Sequence, residues 1–390
     1  MPPLPTPHAA KKPPLTRRAL NAVLLTLYLA AIYFACDFAY TKFLYEKGRS
    51  GRISHDDYHH GLMANFEGYE TWGRLRGKLT TNSLGFKDGK IRDVPAVGHT
   101  KRFLLIGDSF TEGVGLEFEQ TFAGMLYLAG QKRAEKIEFL NAGVISYSPT
   151  IYYKKIKYLL DAGLKFDEVV VFSDLSDVQD EAIAYFCIDE LAEFRRYCNE
   201  APYTSTAKPT LTPIPGSRPL PKIEPKFKDR FAMTDRLLQM FWHEVDTRTG
   251  SGRRFADRLH MTQRAGWTMR SIDVEGAYQP LGVDGGIRRS LMHMEALAEL
   301  LRSRGIGLTV AVYPWPFQLI YNDRKSRQIE IWRTFCEKNC TRFIDLFPAV
   351  FAEKDARRNW YEEIFITGDI HYSPEGNRVL YQAIAKQLIP

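Results

Sequence analysis

The sequence predicts an α/β protein: a parallel sheet covered by helices on both faces, with one large insertion and an apolar N-terminal helix ahead of it. Three observations carry this reading. Short apolar runs alternate with stretches of helical spacing from residue 101 to the C-terminus. One gap in that alternation, roughly residues 178–286, is too long for a plain loop. An uncharged stretch, "ALNAVLLTLYLAAIYFAC", lies close to the N-terminus. The chain has 390 residues, 45% hydrophobic and 25% charged, enough to bury a sizeable core.

Residues 1–18 are proline-rich and carry Lys11, Lys12, Arg17 and Arg18, which reads as a cytoplasmic tail. Residues 19–41 follow as a transmembrane anchor, long enough for a hydrocarbon layer of about 30 Å. A cleaved signal peptide has an apolar core of only about 7–15 residues. Lipoprotein cleavage before Cys36 and a buried soluble helix are the other readings of this stretch. The upstream charges favour an N-terminus inside, although Lys42, Lys47, Arg49 and Arg52 follow the span. The expectation is a single pass through the inner membrane with the bulk of the chain extracytoplasmic, in the periplasm. Residues 42–100 read as a linker and N-terminal extension. Within them His55, His59 and His60 have the i,i+4 spacing of a metal cluster, but a solvated linker is the simpler reading. No metal and no cofactor are expected.

The domain proper is assigned to residues 101–390. Phe103-Leu104-Leu105-Ile106 is a buried strand that stops at Gly107-Asp108-Ser109. "LEFEQTFAGMLYLAG" is helical, "KIEFLNAGV" (136–144) a second strand and "PTIYYKKIKYLLDAGLKF" (149–166) a helix. "DEVVVFSDL" (167–175) makes a third strand, "GIGLTVAVYPWP" (305–316) a fourth and "RFIDLFP" (342–348) a fifth. The insertion opens with helical "DVQDEAIAYFCIDELAEFRRYC", continues through a proline-rich run and ends in an amphipathic, arginine-rich stretch, so it forms a cap or an arm.

The formal charge is +7. Residues 207–270 hold 13 Lys/Arg against 6 Asp/Glu, a surplus equal to that of the whole chain. This basic segment suits an anionic polymer, and an extracytoplasmic placement argues against nucleic acid. Besides Cys36 in the apolar span, Cys187, Cys198, Cys336 and Cys340 remain. Local pairing, 187 with 198 and 336 with 340, is the simplest of three connectivities, and free thiols remain an alternative. Further His or Cys ligands for zinc are lacking nearby.

Ser109 ends a buried strand just ahead of a helix, where open α/β sheets place their ligands. By itself that position also fits an ordinary capped turn. A serine nucleophile needs a base, and "GDIHYSPEGNRVLYQAIAKQL" (368–388) offers His371 with Asp369 two residues before it, ahead of the last helix. Gly107-Asp108-Ser109, Gly143 in "NAGV", and the late Asp369/His371 together resemble the SGNH (GDSL-type) hydrolases. The resemblance covers roughly residues 80–390, including the upstream "TNSLGFKD".

The resemblance implies a flavodoxin-like three-layer α/β/α domain. In it Ser109 is the nucleophile, His371 the base and Asp369 the group that orients His371. The oxyanion would be held by the backbone N–H groups of Ser109 and Gly143 and by a third-block side chain. That block is usually Gly-x-Asn-Asp; here it is Asp174-Leu175-Ser176-Asp177, so Ser176 stands in place of the Asn. The Asp-x-His spacing is similar to that of the alginate-acetylation branch, whose members transfer acetyl groups to exopolysaccharide. The Gly-x-Ser-x-Gly elbow of α/β-hydrolases is absent from the sequence. Trp315, rigid between two prolines in "YPWP", is a candidate sugar platform or else a core aromatic. The expected function is a serine esterase or deacetylase acting on O-acyl groups, acetyl above all, of a carbohydrate or other ester substrate. The alternatives are a polysaccharide O-acetyltransferase served by a membrane acyl-donor protein, and an inactive binding or scaffold module.

Overall fold

The computed structural model describes residues 15–44, 51–72, 75–98, 101–188, 230–249 and 259–389. The chain divides into two compact units, residues 1–47 with 220–242, and residues 48–219 with 243–390.

In the larger unit, two antiparallel hairpins come first, β1 (Arg52–His55) with β2 (His59–Leu62), and β3 (Glu67–Trp72) with β4 (Leu75–Thr80). A five-stranded parallel sheet follows: β5 (Lys101–Gly107), β6 (Ile137–Asn141), β7 (Glu168–Ser173), β8 (Gly307–Val312) and β9 (Arg342–Asp345). Its order is β6-β5-β7-β8-β9, the flavodoxin-like 2-1-3-4-5 arrangement, whose ligands sit where the winding reverses, beside the first strand. All five sequence-predicted strands are present. Phe103 through Ile106 and Val169 through Phe172 are fully buried, which is why these strands read as unbroken apolar runs instead of alternating ones.

Helices cover both faces. The smaller unit holds α1 (Leu15–Phe43). The sheet unit continues with α2 (Ser109–Glu112), α3 (Phe122–Gln131), α4 (Pro149–Asp161) and α5 (Asp177–Ile183). In the insertion lie α6 (Ala232–Thr249), whose first eleven residues fall in the smaller unit, and α7 (Leu259–Ala265). Then come α8 (Gly282–Ser303), α9 (Pro316–Ile320), α10 (Arg327–Asn339), α11 (Phe347–Ala356), α12 (Trp360–Ile364) and α13 (Pro374–Leu388). One layer packs α8 on α4, α5 and α10; the other packs α13 on α3, α11 and α12. The sheet between them makes three layers, as the sequence predicts.

One expectation about these elements needs correction. Residues 52–80 are two hairpins and not a linker, because Leu62, Leu79 and Phe86 bury themselves against the sheet unit. His59 and His60 are half-buried there, with their Nδ1 atoms 2.8 Å apart. Among the described residues, no group of His, Cys, Asp or Glu could hold a metal. The helix expected from residue 177 is described only as α5; residues 189–229 and 250–258, with the proline run and half of the basic segment, lie outside the described residues. Cys336 and Cys340 form a disulfide, and Cys187 is also disulfide-bonded, with its partner outside the described residues. Cys36 is free.

Candidate active site

The sheet aims β5 at a turn only glycine can make. A Cβ on Gly107 would sit 2.2 Å from Thr111 Oγ1 and 2.8 Å from the carbonyl oxygen of Phe172. Asp108 then caps α2, its Oδ1 accepting from the Phe110 N–H at 2.9 Å. Gly113, at φ 71°, ends this single turn. Ser109 is thereby fixed at the first helical position, 8% exposed.

The partner side chains come from the loop before α13. Gly368 takes φ 76°, the Ile366 N–H donates to the His371 carbonyl at 2.8 Å, and Phe365 bridges Tyr372. This short turn brings Asp369 back onto the ring two residues ahead of it. His371 Nε2 lies 2.7 Å from Ser109 Oγ, and His371 Nδ1 lies 2.5 Å from Asp369 Oδ1. The backbone N–H of His371 donates to the same carboxylate at 3.0 Å. For Nε2 to accept the serine proton, Nδ1 must carry the ring proton and donate it to Asp369. Burial raises the Asp369 pKa, but its hydrogen bonds, the one from the His371 ring first, outweigh that and hold it below the ordinary carboxylate value.

Sequence reasoning missed Trp72. From the end of β3 its indole packs edge-on to the His371 ring, centroids 5.0 Å apart, with Nε1 3.0 Å from Nδ1. In the tautomer just argued Nδ1 has no lone pair to offer, so the indole N–H serves the Asp369 carboxylate, to which it is also hydrogen-bonded. A contact spanning 299 residues leaves no local signal in the chain.

A cavity of about 360 Å³ opens over Ser109 and His371, walled by Trp72, Ile145, Ser146, Ser176, Met261 and Arg264. The wall at 145–146 is braced from the extension. The Ile145 N–H donates to Glu112 at 2.8 Å, and His60 Nε2 donates to the Ile145 carbonyl at 2.7 Å. Burial pushes the His60 pKa down to about 4, so the ring is neutral and its Nδ1 accepts from His59. Glu112 is fully buried and takes a two-pronged ion pair from Arg52, at 2.8 and 2.6 Å. Tyr185 donates to the Ser146 carbonyl at 2.5 Å.

The sequence-predicted oxyanion groups are placed unequally. Gly143 does not line the cavity; its N–H donates to Asn141 Oδ1 at 3.1 Å, inside its own loop. Ser176 lines the cavity, but its N–H donates to Asp174 Oδ1 at 2.7 Å, leaving the hydroxyl as its donor. Trp315 borders the cavity yet is only 1% exposed. It lies against Phe110 and its Nε1 donates to Asp174 Oδ2 at 2.6 Å. Its ring is a floor of the site and offers no free face to a sugar.

Beneath the site lies a set of buried acids. Burial, reinforced by the charge of Asp174, pushes Asp108 and Asp177 well above the ordinary carboxylate range. Asp180, on the cavity wall, is pushed up to about 6 by burial, with Arg264 from the insertion opposing the shift at 3.2 Å. Asp108 accepts from Tyr313 at 3.3 Å; its place is structural, as the cap of α2.

No family model matches the chain, and no curated protein matches it. Solved structures do. A putative lipolytic protein of the G-D-S-L family from Desulfitobacterium hafniense DCB-2 is 15% identical, at a TM-score of 0.36, over 74% of this chain and 100% of that one. A catalytic mutant of an acetylxylan esterase from Geobacillus stearothermophilus is 11% identical, at 0.38, over 76% and 97%. A member of the lipolytic G-D-S-L family from Veillonella parvula DSM 2008 is 9% identical, at 0.38, over 74% and 98%. Likeness at this level leaves the chemistry to be argued from the site itself.

Proposed function

We propose that the protein is a membrane-anchored serine esterase that removes O-acyl groups, acetyl above all, from an extracytoplasmic carbohydrate. The observation that carries this reading is the unbroken chain Ser109 Oγ, His371 Nε2, His371 Nδ1, Asp369, at the foot of a cavity beside the switch point of the sheet. His371 takes the Ser109 proton as Oγ attacks the ester carbonyl, then returns it to the departing sugar oxygen, leaving an acyl-serine. Water, losing its proton to His371, attacks the acyl-serine; the acid leaves and Ser109 regains its proton. The Ser109 N–H and the Ser176 hydroxyl are the donors offered to the oxyanion. Loss of one such donor typically costs about 2.7–4 kcal/mol in the barrier.

The anchor reading rests on α1. Residues 17–43 lie in one helix whose most apolar 18-residue stretch has mean hydropathy 2.0, and its apolar side chains face outward. A bilayer would cover them, with the N-terminus cytoplasmic and the esterase domain periplasmic. The test incubates the protein with an acetylated glycan and an artificial acetyl ester, with and without an acceptor sugar. Acetate release in both arms supports the esterase. Transfer to the acceptor would instead identify an acetyltransferase drawing on a membrane acyl donor, and neither product would identify a binding module.

A further inference from the structure

We propose that residues 232–242, the first three turns of α6, lie in the membrane interface beside α1, so that the insertion supplies a second, monotopic element of the anchor. This rests on the reading of α1 as a membrane span.

The starting point is Asp37. It is fully buried in a helix whose apolar side chains are open: Val23 is 54% exposed, Leu27 61% and Ile32 44%. An acid in such a helix is costly unless partnered, and its partner is the first turn of α6. The Asp37 carboxylate accepts from the backbone N–H groups of Met233 at 2.9 Å and Thr234 at 2.8 Å, and from the Thr234 hydroxyl at 2.5 Å. Thr41, one turn along α1, accepts the Ala232 N–H at 2.8 Å and donates to Asp37 at 3.3 Å. Three backbone donors that a helix start leaves open are thus satisfied by α1. Phe231 packs edge-on to Phe34, centroids 5.5 Å apart, and lies 6.4 Å from Phe38.

The position of Asp37 along α1 sets the level of the contact. It lies about 27 Å beyond Ala19 at 1.5 Å per residue, near the far edge of a hydrocarbon layer of about 30 Å. The start of α6 is therefore held at the boundary between acyl chains and headgroups. From there α6 turns a broad apolar face outward. Met233, Leu237, Met240 and Phe241 recur at i, i+4, i+7 and i+8, and Leu238 and Trp242 widen the stripe; their exposures run from 37% to 61%. Asp235 and Arg236 open the opposite, polar side. The polar and ring contacts described between the two helices gather at the α6 first turn, so α1 leaves this face open. A helix with a wide apolar arc, ending in a tryptophan and continuous with a span, suits the interface plane. The bilayer that receives α1 is therefore the occupant assigned to it.

The test uses the full chain reconstituted into phosphatidylcholine vesicles carrying brominated acyl chains. Of the six tryptophans, Trp242 is 52% exposed and Trp72 half-buried in the cavity wall, whereas Trp267, Trp315, Trp332 and Trp360 are at most 5% exposed. Brominated lipid should quench the wild-type emission, and Trp242→Phe should lose most of that quenching. Leu237→Glu with Phe241→Glu should weaken it while the protein still resists alkaline extraction. Unquenched wild-type emission, or quenching unchanged by Trp242→Phe, overturns the proposal. So does burial of Trp242 that follows the protein-to-lipid ratio and not the bromolipid content, which would assign the face to a second copy. Release of the wild type by alkali defeats the span reading itself; retention without quenching defeats this inference alone.

Discussion

Replacing Arg52 by Met should destabilise the protein by about 3–5 kcal/mol, the range for stranding one member of a buried ion pair. The figure follows from where the pair sits. Glu112 is fully buried, three residues after Ser109, and Arg52 grips both of its carboxylate oxygens from the first hairpin. The remaining hydrogen bond, from the Ile145 N–H, cannot offset burial of the charge alone. Glu70, the other carboxylate touched by Arg52, keeps Lys87 at 3.3 Å and the Gly115 N–H at 3.0 Å, so the loss falls mainly on Glu112. The pH dependence supplies the diagnostic. Burial pushes the Glu112 pKa up, but in the wild type Arg52 and Lys87 more than reverse this and hold it below its ordinary value. Its contribution is therefore present above the unfolded carboxylate pKa and is lost only on acidification through the depressed folded value. Without Arg52 burial dominates and the folded pKa rises above the unfolded one, so the folded state binds the proton more tightly. Urea melts from pH 7 down to pH 5 should then show the variant gaining stability relative to wild type. The companion Arg52→Met/Glu112→Gln should recover much of the loss at pH 7. A loss under about 1 kcal/mol with parallel pH profiles would refute the claim that this pair is desolvated.

Ser109→Ala should abolish ester cleavage while shifting stability by under about 1 kcal/mol, and His371→Ala should match its kinetic loss because the two act as one unit; Asp369→Ala, which removes only the orienting group, should be milder, as rates on the artificial ester will show. Gly143→Ala should destabilise by about 1–3 kcal/mol and lower kcat, because its Cβ would meet Thr111 Cγ2 at 2.7 Å and push on the turn that carries Ser109; unchanged melting would mean the loop yields freely. Lys155 is fully buried, and burial brings its pKa down from 10.5 to about 7, so the unfolded chain binds the extra proton between those values. Wild-type stability should consequently climb by about 1.4 kcal/mol per pH unit across that window, and Lys155→Met should flatten the climb in denaturant melts.

The five strands of the sheet, the helices between them and the positions of Ser109, Asp369 and His371 were legible in the sequence. Buried parallel strands must be apolar throughout, and a glycine turn ending in Asp108-Ser109 is a local requirement of backbone geometry. Asp369 and His371 were legible because one short turn carries both. The tertiary structure alone decided which donors face the cavity. Gly143 and Trp315 look available in the chain, but folding commits their N–H groups to Asn141 and Asp174, acceptors that no spacing rule names. It also turned residues 52–80 from an expected linker into the brace that holds Glu112 and the 145–146 wall, and it set Trp72 against the triad. Each of these contacts joins residues far apart in the chain, through single hydrogen bonds or ring edges that leave no periodic trace. Periodicity records only the neighbours a residue has within its own helix or strand; which distant groups meet is fixed when the layers close on one another.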